Sequence, residues 1–308
     1  MTSTQDPSPV NPRNPPTRDE NPAVDADLVI IADWSAAQGR KPEPCEDRCW
    51  IAWGWSDERP GGRSPPVYCP TRLEAEDRIA ELIASSGPER VLLGIDVAIG
   101  LPLSEVGEPV LPTGRDLLAM LAERITDSAS GTNNRFEVAA QLNRDIRSVT
   151  GREHGPFWGR PRDLKLTDLE EKRPSDTGVR KLRSAETAAR RTTKTKPKSP
   201  WQLTGAGSVG SQALMAAPML ARLLGRDDTS LWPFERSGRV TIAEVYPSMF
   251  EPRAPSHWYR DARQVCDTRD ALLDDVITGS TRRSGDASIS LGMNTDADLE
   301  GWILGVPR

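Results

Sequence analysis

Two short apolar runs in this sequence each end in an aspartate: Leu28-Val29-Ile30-Ile31-Ala32 precedes Asp33, and Val91-Leu92-Leu93-Gly94-Ile95 precedes Asp96. If the two runs are neighbouring strands, their carboxylates emerge side by side, where both cannot stay ionised without a cation. Oxygen ligands of this kind suit Mg²⁺ or Mn²⁺. Glu244, near the end of the later run Val240 to Val245, could complete the cluster, as could Asp270 and Asp274 on one face of a C-terminal helix. The corresponding chemistry is hydrolysis at phosphorus, with Asp33 and Asp96 bridging two Mg²⁺ ions about 4 Å apart and Glu244 and Asp270 completing the shell. Each residue also has a structural reading. A strand-end Asp often caps a turn, Asp270 follows Asp267 by three residues in a helical first turn, and Asp274 suits a solvated face.

A second group of residues suits anions. Gly205-Ala206-Gly207-Ser208-Val209-Gly210 has the spacing of a phosphate-holding loop at the start of a helix, with Gly205, Gly207, Ser208 and Gly210 as the candidate contacts. It does not follow a convincing strand, so close helix packing is the competing explanation. The stretch from Arg160 to Lys198 carries 13 Lys and Arg against six Asp and Glu, a local balance of +7, while the rest of the chain sums to −12. Its basic residues Arg190, Arg191, Lys194 and Lys196 are candidate contacts for nucleic acid, or for a small anionic substrate under a lid; a solvated insertion fits the same composition. Pro161, Pro174 and Pro197 discourage a continuous helix there, and the segment is expected to be mobile.

Other chemistries have weaker support. His154 and His257 form no metal-spaced pair, Cys45, Cys49 and Cys69 lack a fourth zinc ligand, and no nucleophile elbow is present. Trp50, Trp53 and Trp55 alternate as sheet-packing residues do, with base stacking as the alternative use.

The elements that must position these groups follow from periodicity. Strands are expected over residues 28–32, 50–55, 67–69, 91–95 and 240–245. A helix starts after Thr71, which stands three residues before Glu74, and stops at Gly87-Pro88. Further helices are marked by Leu117 to Ile125, Val138 to Ile146, Gln212 to Leu224 and Asp267 to Thr278. Three consecutive strands with short connections make an antiparallel meander, and strands separated by helices join in parallel. The expectation is a mixed α/β sheet flanked by helices, a single domain over 26–308 with residues 1–25 a disordered Pro-rich tail.

The 308 residues hold 40 Lys and Arg, 45 Asp and Glu and 36% apolar residues, enough for a sizeable core. No apolar run approaches the roughly 18 residues of a membrane span, the N-terminus has no signal-peptide core, and four scattered cysteines fit a reducing compartment. A cytoplasmic protein without a membrane partner is expected.

The strings Asp33-Trp34-Ser35-Ala36, Gly94-Ile95-Asp96-Val97-Ala98-Ile99-Gly100-Leu101-Pro102, Glu244-Val245-Tyr246-Pro247 and Glu300-Gly301-Trp302-Ile303 resemble those of a bacterial family of predicted nucleases in the ribonuclease-H-like superfamily. The similarity runs over nearly the whole chain from about residue 27. It implies a ribonuclease-H-like sheet and an acidic series of Asp33, Asp96, Glu244 and Asp270, and some branches add a Glu on the first helix, for which Glu74 and Glu76 are the candidates. The resulting expectation is a metal-dependent phosphodiester hydrolase. Phosphoryl transfer to a small molecule, or a non-catalytic binding module on the same fold, are the alternatives.

Overall fold

The first strand, β1 (Leu28–Asp33), is buried along its whole length. Leu28, Ile30 and Ala32 enter one apolar core, while Val29 and Ile31 enter another. A strand with apolar side chains on both faces belongs in the middle of a covered sheet. β4 (Val91–Asp96) has the same character and pairs with β1 in parallel. β2 (Cys49–Trp55) lies antiparallel on the other side of β1, and β3 (Val67–Cys69) is antiparallel to β2. β6 (Val240–Glu244) joins β4 in parallel, and β5 (Thr229–Leu231) closes the far edge. The order is β3-β2-β1-β4-β6-β5. This computed structural model describes residues 26–103, 111–175, 177–192, 196–235, 238–278 and 295–306, so the expected tail at 1–25 lies outside the described residues.

Helices cover both faces. Against one lie α1 (Arg72–Ser85), α2 (Gly114–Arg124), α3 (Arg135–Thr150) and α5 (Val209–Leu224), whose buried residues join the core of Leu28, Ile30 and Ala32. Against the other lie α4 (Ser184–Thr192), α6 (Arg260–Thr278), α7 (Thr295–Glu300) and Trp302 to Leu304, joined to Val29 and Ile31. The expected cap of α1 is present, with Thr71 accepting a hydrogen bond from the Glu74 amide at 3.2 Å. Such a cap contributes about 1 kcal/mol. Among the described residues no helix is long and apolar enough to cross a membrane.

Four elements differ from the sequence expectation, one of them α7, where no helix is expected. β5 has three residues, too few to show a period. α4 falls inside the basic stretch read as an insertion. Most consequential, α6 begins at Arg260 rather than Asp267. Ala262, Val265, Cys266, Leu272 and Leu273 are its buried stripe. Asp267 is no cap: its Oδ1 accepts hydrogen bonds from the Arg253 and Ala254 amides at 2.9 and 2.7 Å, fixing the chain that leads into the helix. A Cβ at Gly54 would come within 2.9 Å of the Leu273 side chain, so this glycine lets α6 lie close on β2. Arg269 reaches the Trp53 carbonyl at 3.1 Å. The helix therefore runs from the Asp33 end of the sheet toward the start of β1.

Candidate active site at the carboxylate end of the sheet

In the parallel pairing of β1 and β4, Asp33 stands directly opposite Asp96. Neighbouring strands are about 4.8 Å apart, and residues two apart share a face. Asp33 follows Ile31 and Asp96 follows Gly94, so both carboxylates lie on the face covered by α6. Asp33 is 7% exposed, and Asp96 keeps somewhat more of its surface toward solvent.

The first turn of α6 supplies a third carboxylate, Asp261, buried at 3% exposure. Its Oδ2 accepts the Asp47 amide at 2.6 Å and its Oδ1 accepts from Arg260 Nε at 3.0 Å. Asp47 holds a left-handed backbone, with φ of 57°, and its carbonyl accepts from Ser35 Oγ at 2.6 Å. Asp tolerates this conformation better than most residues. The bonds tie the chain leaving β1, the chain entering β2 and the start of α6 into one rim.

The charges in this rim are poorly compensated. Burial, then the charges of Asp96, Asp261 and Asp47, push the Asp33 carboxyl well above the ordinary range, with the Arg260 guanidinium opposing them. Burial, then Glu244 and Asp261, push Asp96 up to about 7, again against Arg260 alone. Two in-register carboxylates that repel each other are a place where a divalent cation gains affinity. Among the described residues no group of three or more His, Cys, Asp or Glu side chains comes together closely enough to hold a metal ion. Asp33 and Asp96 nevertheless fit Mg²⁺ or Mn²⁺ in the usual manner of one or two carboxylates with water filling the remaining positions. Asp261 stands next to that pair as a charge, its oxygens engaged by Asp47 and Arg260.

Glu244 belongs to a different cluster. It pairs in register with Ile95, one position short of Asp96, so alternation sends its side chain to the opposite face from the aspartates. Arg183, with no exposed surface, donates to both Glu244 oxygens at 2.8 and 2.5 Å and also pairs with Glu186. The Ile99 amide donates to Glu244 Oε2 at 2.9 Å. Glu300 is buried alongside, accepting from Arg180 at 2.7 Å, and its carbonyl accepts from Arg183 at 3.2 Å. A carboxylate already bound at both oxygens by a guanidinium is a poor metal ligand. The cluster instead fixes the loop after Asp96: a Cβ at Gly100 would lie 2.1 Å from the Glu300 carbonyl. Segments 94–102, 244–247 and 300–303 thus meet at this one point.

Asp270 and Asp274 lie two and more turns farther along α6, away from Asp33. Arg63, Arg269 and Arg253 hold them, with Arg63 donating to Asp270 at 3.0 Å and to Asp274 at 3.3 Å. The structure does not bring them to the Asp33 and Asp96 pair. Glu74 and Glu76 are likewise engaged elsewhere, by Arg40 and Arg222.

The Gly205 to Gly210 loop does border this end of the sheet, since Gln212 in the following turn donates to the Trp34 carbonyl at 2.8 Å. Its glycines have packing reasons. A Cβ at Gly210 would meet the Pro200 carbonyl at 2.4 Å, and one at Gly207 would meet the Lys198 side chain at the same distance. The Gly210 amide already donates to the Gln202 carbonyl at 2.9 Å, and Ser208 makes no side-chain cap. Much of the basic stretch is folded into the domain. Asp168 pairs with Arg144 and Arg147, Arg160 donates to the Leu169 carbonyl, and Arg180 and Arg183 join the Glu244 cluster. Arg190, Arg191 and Lys196 are exposed, and Lys194 lies outside the described residues. All four cysteines are free, and burial pushes the Cys49 and Cys69 thiols up to about 12.

No family model, curated protein or solved structure matches this chain. The functional reading therefore rests on its own residues. The sequence reading missed Asp261, Arg260 and Arg183. Asp261 was within reach: the spacing of Ala262, Val265, Cys266, Leu272 and Leu273 extends the α6 stripe two turns upstream of Asp267. Arg183 has a local partner in Glu186, three residues on, but nothing local points to Glu244, 61 residues away.

Proposed function

We propose that this chain is a metal-dependent phosphodiester hydrolase, nuclease-like, built on a ribonuclease-H-like sheet. The in-register pairing of Asp33 with Asp96 on parallel strands carries the reading. Two further features support it. The antiparallel β3-β2-β1 meander continuing through parallel β4 and β6 is the strand arrangement that the resemblance implies. An acid also stands on the last long helix over the pair, with Asp261 in the place expected of Asp270.

In this reading Asp33 and Asp96 hold Mg²⁺ or Mn²⁺ together with water. Bound there, the metal supplies an activated water and stabilises the leaving oxygen. Asp261, fixed by the Asp47 amide, adds negative charge beside the pair and keeps the Arg260 guanidinium at its edge. Arg260 is exposed and would meet an oxygen of the substrate phosphate. The Glu244 and Arg183 cluster, with Glu186 from α4 and Glu300 from α7, keeps the loop after Asp96 in place.

The test is a calorimetric Mn²⁺ titration of the full chain with Asp33→Asn and Asp96→Asn, paired with cleavage of labelled oligonucleotides in Mn²⁺. Both substitutions should weaken Mn²⁺ binding at least tenfold and abolish cleavage while the circular dichroism spectrum is retained. Unchanged Mn²⁺ binding in both variants would remove the site.

A further inference from the structure

The carboxylate pair continues sideways into a row of aromatic rings. Asp96 faces Asp33 on β1, Asp33 faces Trp50 on β2, and Trp50 faces Tyr68 on β3. Register partners in a sheet point to the same face, so Asp96, Asp33, Trp50 and Tyr68 form one rung across four strands, with steps of about 4.8 Å. Tyr259, two residues before Asp261, lies over this rung, its ring centroid 5.7 Å from that of Trp50, which is itself 5.1 Å from Tyr68. Trp50 is 6% exposed, whereas Tyr259 is 44% exposed.

The polar ends of the two inner rings are anchored. Trp50 Nε1 donates to the Cys45 carbonyl at 3.0 Å and the Tyr68 hydroxyl donates to the Lys41 carbonyl at 2.7 Å. Tyr259 therefore lies against an anchored aromatic pair and stays exposed, one strand step from Asp33 through Trp50. Core packing does not require that exposure. A sheet-packing tryptophan alone would explain Trp50, but not an exposed tyrosine set against it at a tilt of 37°.

We infer that Tyr259, backed by Trp50 and Tyr68, is a stacking shelf for an unpaired nucleobase of a single-stranded nucleic acid whose phosphate lies at Asp33 and Asp96. The identity of the substrate rests on the hydrolase reading above. Base stacking on aromatic side chains is tolerant of sequence and needs the base outside a duplex. The rim holds Glu46 and Asp47 as well as Arg48 and Arg260, so stacking rather than net charge is what distinguishes the ligand here. Base-dependent affinity should consequently change little with salt, unlike affinity built on phosphate contacts.

The experiment uses fluorescence anisotropy of the full chain with labelled single-stranded pentanucleotides, one intact and one with an abasic centre, each in Ca²⁺ and in EDTA. Wild type should bind the intact strand about tenfold more tightly than the abasic one, within the range for one stacked base. Tyr259→Ala should remove that preference and leave binding of the abasic strand unchanged, while Tyr259→Phe keeps it. Equal binding of the two strands by wild type, equal loss of both in Tyr259→Ala, or no binding of either at low salt would overturn the shelf. Mn²⁺ affinity, measured with the metal alone, should be the same in Tyr259→Ala as in wild type. Base preference that persists in EDTA when Mn²⁺ fails to bind Asp33 and Asp96 would support the shelf and remove the hydrolase reading.

Discussion

Two groups of buried charge meet at the same end of the sheet, and they are built in opposite ways. Around Arg183 every partner is supplied: Glu186, Glu244, the Ile99 amide and the Glu300 carbonyl together occupy a fully buried guanidinium and a nearly fully buried carboxylate. Around Asp33 and Asp96 the charge is left over, because three buried or half-buried aspartates face one exposed arginine. A satisfied cluster rigidifies, and breaking it leaves an uncompensated ion. An unsatisfied one lowers stability in the free protein and gains from whatever cation arrives. The comparison shows that a strand-end carboxylate is read by its partners: Glu244 and Asp96 sit one register position apart and have different work.

The largest effect should come from the satisfied cluster. Arg183→Met leaves Glu186 and Glu244 buried without their cation, and unfolding in urea should show a loss of about 3–5 kcal/mol. A loss under 1 kcal/mol would mean that the Glu244 group tolerates an unpaired charge and that the contrast is wrong. Next, Asp96→Asn should stabilise the metal-free protein at pH 8 by about 2 kcal/mol, after discounting for the part of Asp96 that faces water.

The pH dependence follows from the same pair. Asp96 is raised to about 7 in the folded state and Asp33 is raised well above the ordinary range, so the folded protein binds more protons than the unfolded chain from about pH 4 upward, as far as about pH 7 for Asp96. The Asp96 contribution to stability is fully present at the acid end of that window and is lost as the pH rises through about 7, and the Asp33 contribution has the same sign. Mg²⁺ should blunt the loss. A melting curve in which the contribution grows with pH over this window would reverse the assignment. Other groups, such as Asp145 and Asp228, carry lowered values with the opposite slope, so the comparison is made between wild type and Asp96→Asn.

A smaller effect is expected at the far end of α6. Asp270→Asn removes one partner of the buried Arg63 and should cost about 1 kcal/mol with no change in Mn²⁺ affinity. The smallest belongs to the exposed basic residues. Replacing Arg190 and Arg191 by Gln should alter stability by less than about 0.5 kcal/mol, and any role in nucleic-acid binding would show as a flatter dependence of affinity on salt.

What could be read from sequence was what local patterning encodes. Asp33 and Asp96 stood out because each closes an apolar run, and the capped start of α1 was visible in Thr71 and Glu74. Asp261 was hidden because Asp267 imitates a helix start while serving the Arg253 and Ala254 amides. Glu244 looked like a ligand because its neutralising arginine comes from a stretch whose composition resembles a solvated insertion. Only the fold reveals that Arg183 is the buried centre of that stretch. The register of β1 against β2 placed Trp50 beside Asp33, a relation that periodicity within one strand cannot express.

The central claim is that Asp33 and Asp96 form an uncompensated pair awaiting a divalent cation. Carboxyl ¹³C shifts of the metal-free protein, followed by NMR from pH 3 to pH 9 and assigned with Asp33→Asn and Asp96→Asn, test it most directly. Asp96 should titrate near 7, Asp33 should titrate well above the ordinary aspartate range, and Mg²⁺ should drive both steps toward acid pH. Two aspartates that titrate near 4 without metal, or steps that Mg²⁺ leaves in place, would contradict it.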